Sequence, residues 1–95
     1  MISTFPHSTS ADLSQIRLEI RTLQSQLVAW RRQLHQRPEL GFQEKLTAEF
    51  VSQALQKMGI EHQTGIAKTG IVATIESDRT GPVLAIRADM DALPI

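Results

Sequence analysis

A chain of 95 residues suits one small domain, whose core can only be modest. Ten Lys and Arg balance ten Asp and Glu, so no net field draws the chain to nucleic acid or an anionic membrane, and the lack of cysteine excludes disulfides and thiolate metal sites within this stretch. At 41% hydrophobic and 21% charged it reads as a soluble, cytoplasmic globular protein, with no apolar run near the ~20 residues of a membrane span and no secretory signal.

Residues 1–9 are polar and proline-containing, which points to a flexible tail, and residues 10–95 carry the ordered pattern. A helix is expected to begin at Ser10, with Ser10 as cap and Asp12 in the positive first turn. Its apolar stripe runs Leu13, Ile16, Ile20, Leu23, Leu27, Trp30 and Leu34, a spacing of threes and fours that lines one helical face. The stripe has two readings: it faces its own domain's core, or it forms a self-contained interaction module that dimerises through residues 13–34. Pro38 disfavours helical geometry at Arg37, so the helix should stop near Gln36.

PELGFQE reads as a turn, and a second helix is expected over Glu44–Met58 with Gly59 as its left-handed terminator. Ile60–Thr64 is a weak strand, and IVATIE at 71–76 is a better one. SDRTGP at 77–82 is rich in turn formers, and VLAIRA at 83–88 is a nearly continuous apolar run, as in a strand covered on both faces. Six residues join the last two strands, too few for a parallel crossover, so 71–76 and 83–88 should form an antiparallel hairpin. The expected order is two helices, a weak strand and a hairpin, an α/β arrangement.

Asp89 and Asp91 stand at the exit of the 83–88 run, two apart, so an extended chain would aim both carboxylates into one cavity. Direct ligation of a hard cation, orientation of a neighbouring ligand, and an ordinary turn all remain open for them. His7 and His62 are expected on the surface, and His35 at a helix end can cap carbonyls; no pair has ligand spacing, and no set of three ligands emerges. The glycines make no phosphate-binding pattern.

Three blocks, WRRQLHQRPELGFQE, KTGIVATI and GPVLAIRADMDALPI, occur in this order over about residues 28–95. Together they resemble the N-terminal part of the metal-dependent amidohydrolases, the family of N-acyl-amino-acid amidohydrolases, hippurate hydrolases and auxin-conjugate hydrolases, related to aminoacylases and metallo-carboxypeptidases. The resemblance implies a fragment of a two-domain hydrolase: a mixed-sheet α/β catalytic domain interrupted by a smaller dimerisation and lid domain. It further implies two divalent ions, zinc or manganese, that activate a water, a small N-acyl amino acid or amide substrate, and a possible homodimer. By that resemblance the metal ligands lie downstream of ADMDALP, Asp89 and Asp91 are close to the site rather than ligands, and Arg87 balances their charge. His35, Pro38, Glu39, Gly41 and Glu44 match the family's first signature with no catalytic role attached, and 10–95 would be inactive alone.

Overall fold

The computed structural model describes residues 10–94, with side chains from Leu13 onward. The expected tail over 1–9 and His7 therefore lie outside the described residues, as do the Ser10 and Asp12 side chains on which the expected capping rests. The chain divides into two compact units, one ending at His35 and one starting at Gln36.

The first unit holds α1 (Ser10–Thr22) and α2 (Gln24–His35). The continuous helix expected from the stripe is broken at Leu23, and the cause is local. Thr22 donates its hydroxyl to the Glu19 carbonyl at 2.6 Å. The Leu23 amide is then shared between Ile20 O at 3.0 Å and Glu19 O at 3.3 Å, a tightened turn, before Leu27 resumes regular bonding to Leu23 O at 2.9 Å. The chain leaves helical geometry after His35, as the proline at 38 requires.

In the second unit, α3 spans Lys45–Lys57 and ends as the sequence indicated. Gly59 takes φ +73°, its amide bonds Gln56 O at 3.0 Å, and the Ile60 amide reaches back to Leu55 O at 3.0 Å. This paired closure satisfies carbonyls that the helix end would otherwise strand, and it needs a residue free to adopt the left-handed region. Because Ile60 is used in the closure, the strand β1 begins two residues later than expected, at His62–Ile66.

β1 pairs antiparallel with β2 (Gly70–Ala73), matching His62 with Ala73 and Gln63 with Val72, with Ile66 opposite Gly70. Between these pairs two residues of β1, Thr64 and Gly65, oppose one of β2, Ile71, a bulge in which Gly65 takes φ +75°. Gly70 is required at its position: a Cβ there would lie 2.6 Å from the Ile66 carbonyl oxygen. The intervening loop holds Ala67 at φ +50° and Lys68 at φ +82°, two side-chain-bearing residues in the left-handed region.

Two expectations fail here. The segment 71–76 pairs with 62–66 and not with 83–88, and its strand stops at Ala73. The run 83–88 forms no strand, and Val83, Leu84 and Ile86 are 96%, 83% and 86% exposed. Hydrophobicity alone does not make a strand, because a strand needs a neighbour to receive its amides and carbonyls. The helix end anchors β1 beside β2, which takes that edge, and no further strand lies alongside 83–88 among the described residues. The α/β class survives as three helices and one hairpin.

Candidate functional site

The most enclosed side chains among the described residues are polar. Glu44 and Thr47 are each 8% exposed, whereas no apolar side chain there is buried. They belong to a knot of hydrogen bonds at the start of α3. Glu44 occupies the cap position of that helix but its side chain makes no capping bond. It turns instead to the hairpin loop, where its Oε1 accepts the Thr69 hydroxyl at 2.7 Å. Lys68 Nζ stands 5.8 Å from the centre of the Phe42 ring in the same region.

Glu39 caps the helix from a distance. Its Oε2 accepts the Leu46 amide at 3.1 Å, and its Oε1 accepts both the Thr47 amide and the Thr47 hydroxyl at 2.7 Å. Leu46 and Thr47 are the second and third helical residues, whose amides have no partner within the helix. The turn between is closed by the Gln43 amide on Leu40 O at 2.9 Å, with Phe42 at φ +64°. Burial pushes the Glu39 carboxyl up, but the Thr47 hydroxyl and amide, the Leu46 amide and the Arg37 charge outweigh it and hold the group below the usual carboxylate value.

The same residue holds the aspartate segment. The Ala92 amide donates to the Glu39 carbonyl at 2.8 Å. Nearby in sequence, Arg87 Nε donates to Asp89 Oδ1 at 3.2 Å, an exposed pair of small energetic weight. Asp91 lies between the Asp89 end of this segment and the anchored Ala92, and is exposed.

His62 is half-buried and engaged through both ring nitrogens, which corrects its placement on the surface. Its Nδ1 lies 2.9 Å from Ile60 O, an atom that only accepts, so Nδ1 carries the proton and Nε2 in the neutral ring accepts the Ser52 hydroxyl at 2.7 Å. The pair fastens α3 to β1. Two open hollows flank it, one of about 540 Å³ lined by residues 60–63, Val72 and Thr74, the other of about 380 Å³ lined by residues of α3 and Thr64. Neither is lined by Asp89 or Asp91. His35 closes α2 in the first unit.

No group of three or more His, Cys, Asp or Glu among the described residues is arranged to hold a metal ion. The donor chemistry agrees: both Glu39 oxygens accept hydroxyls and amides, Glu44 Oε1 accepts the Thr69 hydroxyl, both His62 nitrogens are occupied, and Asp89 faces Arg87. These residues do not fit a two-ion centre by themselves. No helix of the described residues is long and apolar enough to cross a membrane.

Sequence reasoning attached no role to Glu39 and missed Thr47, Thr69 and the Ser52–His62 pair. The eight-residue separation of Glu39 and Thr47 matches no local capping pattern, so nothing in the linear spacing announces the bond.

The chain is 44% identical to an N-acyl-L-amino acid amidohydrolase of Geobacillus stearothermophilus over 92% of its own length and 23% of that protein's. It is 43% identical to a hippurate hydrolase of Campylobacter jejuni over 81% of the chain and 20% of the relative, and 39% identical to the IAA-amino acid hydrolase ILR1-like 5 of Arabidopsis thaliana over 92% and 21%. The chain thus spans about a fifth to a quarter of the length of the curated relatives it matches. No protein-family model and no solved structure matches it.

Proposed function

The chain belongs to the amidohydrolase family of these N-acyl-L-amino acid, hippurate and IAA-amino acid hydrolases, and from that premise we propose that it is part of an enzyme cleaving the amide bond of N-acyl amino acids or similar small conjugates. The observation that carries the reading is the 44% identity across 92% of the chain. ADMDALP has no regular secondary structure and is largely exposed, so burial does not explain its composition.

In this reading residues 10–95 form the first part of a catalytic domain, in a cytoplasmic protein. Two divalent ions, zinc or manganese, and the smaller domain that closes the site and pairs two subunits belong to sequence outside this stretch. Asp89 and Asp91 border the reaction centre without ligating its ions. The described residues contribute a platform: α3, its distant cap and the hairpin hold the turn from which the aspartate segment is suspended. By themselves they hydrolyse nothing.

The test is to express the protein from its own gene and assay it with zinc or manganese against N-acetyl amino acids, hippurate and indole-acetyl amino acids. Hydrolysis of at least one of these is expected, and the 95-residue chain alone should be inert. A product of the native gene that cleaves none of them, or a 95-residue chain that turns over at full rate, overturns the reading.

A further inference from the structure

We propose that Glu39 is a positioning residue that couples the start of α3 to the aspartate segment, fixing where Asp91 is delivered. The inference rests on the reading that Asp89 and Asp91 border the reaction centre; the coupling itself rests on geometry alone. Glu39 is bonded at both of its ends. Its carboxylate is held by three donors, the Leu46 amide, the Thr47 amide and the Thr47 hydroxyl. Its backbone carbonyl receives the Ala92 amide at 2.8 Å.

These two sets of bonds are not independent. A glutamate whose carboxylate is fixed by three donors loses the rotamers that would let its own peptide swing, so the carbonyl keeps one direction. Thr47 is 8% exposed, so water does not easily replace the hydroxyl bond. At the other side, Pro94 restricts Leu93 to extended geometry, which stiffens the chain just beyond the anchored amide. Among the described residues, the Ala92 bond is the backbone hydrogen bond that ties 83–94 to another element.

An anchor at Ala92 governs its neighbours unequally. The Asp91 Cα is one peptide away, about 3.8 Å, so its freedom is small once Ala92 is held. Asp89 is three residues away and has its own partner in Arg87. Glu39 therefore sets Asp91 closely and Asp89 loosely. It is not a catalytic residue, because its carboxylate is spent on α3; it acts through the peptide it orients.

The experiment compares Glu39→Ala and Glu39→Gln with the unmodified protein, each expressed from its own gene, by amide hydrogen exchange and by steady-state kinetics. Exchange of the Ala92 amide is expected to quicken by about tenfold in Glu39→Ala and by less in Glu39→Gln, which keeps one acceptor oxygen, while amides of the α3 interior at 51–57 stay as they were. In the active enzyme kcat should fall in the same order with KM little changed. Mere helix capping would move Leu46 and Thr47 but leave Ala92 alone; that result, or an Ala92 amide unprotected in the unmodified protein, overturns the proposal. Quickening of Ala92 only together with 51–57 overturns it as well. If the Ala92 amide loosens and kcat is untouched, the coupling stands and the placement of the aspartates at the reaction centre falls.

Discussion

Replacing Glu39 by glutamine isolates the distant cap of α3 at almost constant volume. Gln can keep one oxygen for the Thr47 amide and hydroxyl, but it turns an NH₂ toward the Leu46 amide that Oε2 accepts at 3.1 Å. Loss of that bond costs about 1 kcal/mol. Removing a negative charge from a helix N-terminus costs a further ~0.3–1 kcal/mol. The two 2.7 Å bonds to Oε1 weaken as their acceptor becomes neutral, by on the order of 0.5 kcal/mol together. The sum is about 2 kcal/mol of local stability, or roughly thirtyfold in amide exchange at Leu46 and Thr47.

The pH dependence supplies the control. The Glu39 carboxyl lies below its ordinary value of 4.5 in the folded chain, so its contribution is complete above that value. It is lost as pH falls through the lowered folded value, where the protein binds a proton and gives up the charge. Unmodified protein should therefore converge on the Gln variant in strong acid, while the variant shows no such transition at Leu46 and Thr47. Amide shifts and exchange followed by NMR at each pH read both effects. Equal exchange at neutral pH, or a difference that persists undiminished in strong acid, refutes the argument.

Other expected outcomes concern the hairpin and the helix break. Gly70→Ala places a methyl 2.6 Å from the Ile66 carbonyl oxygen and should cost about 1–3 kcal/mol, read as loss of cross-strand contacts between His62 and Ala73; retention of those contacts contradicts it. Ala67→Asn combined with Lys68→Gly relieves two left-handed side-chain residues and should stabilise the hairpin by about 1 kcal/mol after loss of the Lys68–Phe42 contact, seen as slower exchange at Val72. Thr22→Ala removes the hydroxyl that takes the Glu19 carbonyl, so α1 and α2 should fuse and helical circular dichroism should rise; an unchanged break would place its cause elsewhere.

Local chemistry was readable wherever the deciding bonds lie within a few residues. The end of α3 at Gly59 is such a case, because the closure involves only Leu55 to Ile60. So is the stop before Pro38, which acts on its immediate predecessor. The break at Leu23 is local too, yet it depends on which partner the Thr22 hydroxyl selects, and the apolar stripe runs through it undisturbed. Family membership was legible for a different reason: three blocks in order exceed what composition or periodicity would produce.

What tertiary structure decided is how distant segments meet. Residues 71–76 carry strand-forming residues, but their partner is a choice between segments, and the register that α3 imposes on His62–Ile66 made it. The run 83–88 shows the converse, since an apolar sequence without a neighbour to accept its hydrogen bonds forms no strand and stays exposed. Glu39 is the sharpest instance. Its identity is plain in PELG, but its work depends on Thr47 and Ala92, eight and more than fifty residues away, and a hydrogen bond across such distance exists only once the fold has brought both ends within 3 Å.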